Sequence, residues 1–283
     1  MIKNLQYIFN HSLSSGYFPK IFKHAIMIFL PKANKTPYEH TNYRPISLLE
    51  VPGKIFEKLL NRRLLEQIEN NRLHNERQHG FRPGRGTDTA LAILHESVAT
   101  HRGNGKTVDL VFRDISRAFD KVWHDGLRYK IRTAQLPDAM IRILCNYLTD
   151  RTATIRIGEY LGQTFGLFSG VPQGGCLSPT LFNLYTHDLT RPYGDKDYIA
   201  YADDITQIIP HRTKSAARRS LHTARAIKTI DDFEYKWKIK TNKDKFKVVS
   251  IGRTKNEDIR LGDGIIQRTN EGTVLGLDIT IYH

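Results

Sequence analysis

The chain has 283 residues, 40% of them apolar, and 43 Lys and Arg against 29 Asp and Glu give it a net charge of +14. No apolar run approaches the roughly 18 residues that a bilayer span needs, and the basic surplus favours a polyanionic partner, nucleic acid ahead of acidic membrane. Two cysteines, Cys145 and Cys176, exclude a disulfide framework and a cysteine metal cage, and the N-terminus has no signal-peptide pattern.

Taken in chain order, residues 1–20 predict a helix with Leu5, Ile8, Phe9 and Leu13 on one face, closed by Gly16 and Pro19. Residues 21–30 and 43–49 read as strands joined by a polar, Pro-containing loop. That hairpin would carry Lys32, Lys35 and Arg44, donors suited to phosphate; a solvated basic loop explains them equally well. Residues 53–70 place Phe56, Leu60, Leu64 and Ile68 on one helical stripe, which is core rather than site. The run 78–88 has three glycines and two arginines leading into a helix that Thr87 could cap. This suits an anion contact, but its spacing fits neither a P-loop nor a dinucleotide fingerprint.

Residues 107–115 predict a mostly apolar strand ending in Asp114, the place where an open α/β sheet puts ligands. A helix follows Leu136-Pro137, and residues 152–157 and 164–168 suggest a hairpin. The loop 169–179 contains Pro172-Gln173-Gly174-Gly175 and opens a helix with Ser178 as N-cap and Pro179 at the first helical position. Its glycines let backbone approach a ligand, and the Gln173 amide offers both a donor and an acceptor. In Tyr198–Ile209, two acids, Asp203 and Asp204, sit between strand-like runs. Alternation sends neighbouring strand side chains to opposite faces, so both acids point one way only where the turn bends them. Two acids at a hairpin tip are poor core material and good ligands for a hard divalent cation, although an isolated Ala-Asp-Asp is far more often an ordinary solvated turn. A long basic-leaning helix over 213–237, a strand over 246–251 and a short strand or hairpin near 272–278 complete the chain.

Seven blocks recur in a telling order: Asn42–Leu49, Gly80-Phe81-Arg82, Asp114 with Ala118-Phe119-Asp120, Gly170–Gly174, Tyr201–Asp204, Asn242 with Lys245, and Leu275-Gly276. Together they resemble the reverse transcriptase domain of non-LTR, LINE-type, jockey-like retrotransposons, over nearly the whole chain. The resemblance implies a right-hand polymerase of mixed α/β (α+β) class. Fingers would occupy 1–105 and a palm 106–283, with an antiparallel palm sheet packed on helices. It implies that Asp114 and Asp203 hold two Mg²⁺ ions, with Mn²⁺ as a substitute, Asp204 beside them and the Ile115 carbonyl as a further ligand.

It also implies that Phe119 lies under the sugar and excludes a 2′-hydroxyl, that Gln173 and Gly174 contact nucleotide and template, and that Lys32 and Arg44 clamp the triphosphate. Lys245 would protonate departing pyrophosphate, and Leu275-Gly276 would grip the primer. The implied partners are an RNA template, a DNA primer and dNTPs, with no membrane, in the nucleus or cytoplasm. A non-catalytic nucleic-acid-binding relic is the competing expectation; an RNA-dependent RNA polymerase is the other, and Phe119 argues against it.

Two departures stand out. Arg113 precedes the strand acid where the family usually has an apolar residue, and on a strand it faces a packed helix, where an unpaired guanidinium is costly. Gly175 stands where a Ser commonly follows the first Gly. The chain stops just after the primer-grip block, so the thumb is expected to be absent and the chain to be a fragment, or a decaying copy, of a longer retroelement protein.

Overall fold

The periodicities of the sequence are realised with small shifts at element ends. A computed structural model describes residues 2–33, 35–36, 38–115, 117–189, 198–213, 215–241, 246–252, 257–261 and 264–280. Helix α1 (Ile2–Ser15) is followed by β1 (His24–Pro31), β2 (Tyr43–Leu49) and α2 (Val51–Asn70). Then come α3 (Thr87–Gly103), β3 (Thr107–Asp114), α4 (His124–Thr133) and α5 (Asp138–Tyr147). The hairpin β4 (Arg151–Ile157) and β5 (Tyr160–Leu167) precedes α6 (Ser178–Tyr185). Strands β6 (Tyr198–Tyr201) and β7 (Asp204–His211) form the acidic hairpin, followed by α7 (Ala216–Lys236) and β8 (Lys247–Ile251). Short strands β9 (Ile259–Leu261), β10 (Gly264–Ile266), β11 (Arg268–Thr269), β12 (Glu271–Val274) and β13 (Leu277–Thr280) close the described chain. Among the described residues, no helix is long and apolar enough to cross a membrane.

Helix α4 was not expected, because His124 and Lys130 sit on its buried face beside Leu127 and Ile131 and blur the apolar period. Two caps also differ from expectation. Gly86, not Thr87, is the N-cap of α3, with its N–H donating to the Thr89 hydroxyl at 2.9 Å. Ser178 is the first residue of α6, and its hydroxyl donates back to the Pro172 carbonyl at 2.7 Å.

Two compact units emerge, Met1–His74 with Phe119–Tyr185, and Asn75–Ala118 with Thr186–His283. They do not coincide with a division at 105/106. The first unit contains a four-stranded sheet in the order β2-β1-β4-β5. Its helical core is aromatic: Phe56 stacks between Phe9 (4.7 Å) and Phe18 (5.3 Å), and Phe18 meets Tyr147 edge-on at 5.0 Å. Each such buried ring contributes on the order of 2–3 kcal/mol by removing apolar area from water.

The second unit is built on a five-stranded sheet in the order β11-β8-β3-β7-β6. Strand β3 lies at its centre, antiparallel to both β7 and β8, and is buried along all but its last residue. Alternation splits its side chains. Val108, Leu110 and Phe112 pack with Ala90 and Leu94 of α3 and with Val274 at the β12–β13 hairpin. Val111 packs with Ala226 and Ile227 of α7. The two charged residues inside the strand, Asp109 and Arg113, share the parity of Val111. Asp114 shares the parity of Phe112.

Candidate active site

Three carboxylates expected to work together are brought to one end of the five-stranded sheet. The β3–β7 register sets Asp114 opposite Asp204, and the β6–β7 register sets Tyr201 opposite Asp204. Only Ala202 and Asp203 remain to make the turn between the strands. Ala202 has φ +55°, a backbone conformation that glycine usually takes at the first position of a two-residue hairpin loop. Such a turn matches strand twist and reverses the chain sharply, so Asp203 and Asp204 both stay at the tip. The Ile115 N–H donates to the Asp203 carbonyl at 3.3 Å, and Ile115 is bridged on its other side by Thr241. Asp114 and Asp203 are half-buried, and Asp204 is exposed. Among the described residues, no group of three His, Cys, Asp or Glu side chains is arranged as a metal site. The shared end of the sheet supplies only hard oxygen donors, the chemistry that a divalent cation such as Mg²⁺ takes. Lys245 and Asn242 lie outside the described residues.

Arg113, directly behind Asp114, is not left unpaired. Its guanidinium bonds to Asp231, lies 3.3 Å from Glu234 and donates to the Ile227 carbonyl at 3.2 Å, all on α7. It also lies 4.7 Å from the centroid of the Phe246 ring. Residues 227, 231 and 234 fall on one face of α7, so the helix presents a matched receptor for this one cation. Burial raises the Glu234 carboxyl even though Arg113 pulls it down.

Within the other unit, Phe119, Gln173 and Gly174 form a second assembly. Phe119 is half-buried and stacks on Phe182 with centroids 5.1 Å apart. Its carbonyl accepts from the Val171 N–H at 2.7 Å. The Gln173 side-chain amide donates to the Asp120 carboxylate at 2.8 Å, and the Gln173 backbone carbonyl accepts from the Ser47 N–H on β2 at 2.7 Å. Gly174 has φ +112°, and an ideal Cβ there would lie 2.9 Å from the Ser47 carbonyl. Only glycine fits this approach. Strand β2 also carries Arg44, which is exposed and sits opposite Leu30 of β1. Lys32 follows β1, and its ammonium donates to the Thr41 carbonyl at 2.9 Å. The expected basic hairpin therefore exists, and the loop of Gln173 is sewn to one of its strands.

Sequence reasoning missed the groups beneath these loops. Glu57 on α2 is fully buried, accepts from the Tyr147 hydroxyl at 3.0 Å and takes the Leu177 N–H at 3.3 Å, just past the Gly174-Gly175 pair. An ideal Cβ on Gly175 would lie 2.8 Å from the Ser178 hydroxyl and 3.0 Å from Glu57, so the expected Ser would be crowded here. Burial raises the Glu57 carboxyl, against the pull of Arg151 and of the Leu177 N–H. His124 fastens the same loop, its Nε2 donating to the Gly170 carbonyl at 2.7 Å. The sequence carries a signal for the burial of Glu57, which lies on the same helical stripe as Phe56, Leu60 and Leu64, but none for the groups it binds.

The family model for reverse transcriptase (RNA-dependent DNA polymerase) matches residues 30–279. The RNA-directed DNA polymerase from mobile element jockey of Drosophila melanogaster is 32% identical over 85% of this chain and 27% of its own length. Its counterpart from Drosophila funebris is 28% identical over 95% of this chain and 30% of its own length. The chain thus spans under a third of the length of either relative. Among solved structures, apo telomerase from Candida tropicalis, truncated of its C-terminal domain, aligns over 98% of this chain and 58% of that one. Its TM-score is 0.62 at 14% identity, so it shares the right-hand polymerase fold.

Proposed function

Because the chain belongs to the reverse transcriptase (RNA-dependent DNA polymerase) family, as the domain of a non-LTR retrotransposon, we propose that it transfers nucleotides from dNTPs to a primer 3′-OH on an RNA template. The observation that carries this reading is the strand register that sets Asp114 opposite Asp204, with Asp203 in the turn between β6 and β7. Asp114 and Asp203 would hold divalent cations, two Mg²⁺ or Mn²⁺ ions, with Asp204 and the Ile115 carbonyl beside them. Bound there, the ions would supply Lewis acidity toward the hydroxyl and the phosphate.

The remaining roles belong to the chain's own side chains. The Phe119 ring, held by Phe182, presents a flat surface that excludes a 2′-hydroxyl from the sugar. Gln173 and Gly174 contact the nucleotide and template, and Lys32 and Arg44 give the triphosphate cationic donors. Lys245 donates a proton to pyrophosphate as it leaves. We keep 1–105 as fingers and 106–283 as palm in this functional sense. The positive charge of the chain neutralises the phosphates of template and primer, which makes binding weaken as salt rises.

Primer extension on poly(rA)/oligo(dT) with Mg²⁺ tests the reading. Wild type incorporates dTTP, and Asp203→Ala lowers the rate by roughly 10³-fold or more, the scale expected for losing a preorganised charge at the reacting phosphate. Incorporation unchanged in Asp203→Ala would sink the assignment. UTP replaces dTTP in a second arm, where Phe119→Ala raises UTP use relative to dTTP; equal use of the two by wild type removes the case for a DNA polymerase.

A further inference from the structure

The turn that carries Asp203 is strained and is held from outside its own hairpin. Ala202 takes a left-handed conformation without being glycine, a state that persists only where surroundings fix it. Beneath it lies a cavity of about 10 Å³, lined by Gln78, Ile115, Ala202 and Ile205 among others. That is the lower limit for one water, so little room is left beneath the turn.

Hydrogen bonds from outside the hairpin fix the turn. Residues 77–79 run beside β6 as a short parallel extension: the Ala200 N–H donates to the Arg77 carbonyl at 2.9 Å, and the His79 N–H donates to the Ala200 carbonyl at 2.8 Å. Past Ala200 the backbone ladder stops, because β6 turns away. The Gln78 side chain continues it. Its Oε1 accepts from the Ala202 N–H at 2.8 Å and from the Gly80 N–H at 2.8 Å, while its Nε2 donates to the Ala202 carbonyl at 3.1 Å. One carboxamide thus engages both backbone polar groups of the strained residue. Gln78 is 3% exposed, so these bonds form away from competing water. An ideal Cβ on Gly80 would lie 2.3 Å from the Ala202 nitrogen, so glycine is required for this approach.

We propose that Gln78 is a positioning residue for the polymerase reaction, fixing the Ala202-Asp203 turn so that the Asp203 and Asp204 carboxylates are held where the cations and substrate need them. This rests on the reading above. The chemistry demands a primary amide. Asn is one methylene too short, Met has the length but no donor and only a weak sulfur acceptor, and an ionised Glu would set a negative oxygen against the Ala202 carbonyl.

The test uses the full chain with Gln78→Met and Gln78→Glu. Hydrogen exchange, resolved at the Ala202 amide, reads the clamp without any activity. In Gln78→Met this amide exchanges faster than in wild type by roughly ten-fold or more, while Leu110 in β3 keeps its protection. In primer extension the same variant loses kcat by about 10²-fold, the scale of an ångström of misplacement at the reacting centre. Its KM for dNTP and its affinity for primer–template stay at wild-type values, and the Mg²⁺ concentration for half-maximal rate rises. Gln78→Glu recovers relative to wild type as pH falls, because the neutral carboxyl regains a donor. An unchanged Ala202 amide overturns the proposal, as does faster exchange with unaltered kcat and Mg²⁺ dependence, or a loss of kcat that merely follows a lower melting temperature. A wild-type chain that extends no primer sinks the polymerase reading instead, and the clamp then stands or falls on the Ala202 amide.

Discussion

Glu57 in one unit and Asp109 in the other are both 0% exposed, yet their carboxyls are displaced in opposite directions. At Glu57, burial wins over Arg151, the Leu177 N–H and the Tyr147 hydroxyl, and the carboxyl is raised. At Asp109, burial is outweighed by His211, Arg268 and Thr223 together, and the carboxyl is held well below the usual range. Geometry explains the difference. Asp109 accepts from Thr223 at 2.6 Å, Ser250 at 2.7 Å, Arg268 at 2.7 Å and His211 at 3.0 Å. Those four donors match the acceptor capacity of an ionised carboxylate. Glu57 has neutral donors at 3.0 and 3.3 Å. Burial by itself does not decide ionisation; the number and charge of the donors that fill the carboxylate do.

Removing Asp109 is the hardest test of that contrast. Asp109→Ala leaves the buried Arg268 guanidinium and the His211 ring facing an empty acceptor, and the expected loss is about 3–5 kcal/mol, read as a lower urea midpoint at unchanged slope. A loss within about 1 kcal/mol would mean that the network is a consequence of folding rather than a support for it. Arg113→Met comes next. It leaves Asp231 and Glu234 on α7 without their shared cation, but Asp231 is 31% exposed and water screens it. The expected cost is about 2–3 kcal/mol, again by urea denaturation. Glu57→Leu follows, with about 1–3 kcal/mol for the unsatisfied Leu177 N–H and Tyr147 hydroxyl. Because that N–H anchors the loop after Gln173, this variant also raises KM for dNTP in primer extension, and an unchanged KM would separate Glu57 from the nucleotide contact.

The same contrast marks what could be read from the sequence. Asp203 and Asp204 are legible as a pair at a hairpin tip, and only the resemblance carried by the order of motifs joins Asp114 to them; the β3–β7 register sets Asp114 opposite Asp204. The basic hairpin of Lys32 and Arg44 was legible for the same local reason. Gln78 and Glu57 were not, because each acts through backbone groups more than a hundred positions away: Gln78 through Ala202, Glu57 through Leu177. No local pattern states such a contact. The sequence makes 78–88 suit an anion through its glycines, its two arginines and the helix that follows. Yet Arg82 donates to the Asn75 carbonyl and Arg85 pairs with Glu76, so both bind their own loop. Arg113 was legible as a problem, a cation inside an apolar strand, and its solution required the stripe of α7 beyond the reach of periodicity. The fold's two units were hidden because each is assembled from segments distant in the chain.

The gentlest probe is Glu57→Gln, which keeps shape and one of the two acceptor oxygens, puts an amide NH₂ in place of the other and removes the titration. A raised folded carboxyl means that the folded chain binds this proton more readily than the unfolded chain, whose Glu titrates near about 4.3. The stability linked to Glu57 is therefore fully present below that value and is lost as pH rises through the raised folded value. Asp109 runs the other way: its contribution is present above about 3.9 and lost as pH falls toward its depressed folded value. Wild type thus carries two opposed slopes, and Glu57→Gln deletes one of them. Near pH 4 and below, variant and wild type should agree within about 0.5 kcal/mol. As pH rises, wild type alone bears the buried charge, so the variant gains relative stability and then levels off. Urea midpoints at a series of pH values measure that difference directly. A difference independent of pH would show that the Glu57 carboxyl is not raised at all, and the distinction between a carboxylate filled by four donors and one held by neutral donors would fail at its softer end.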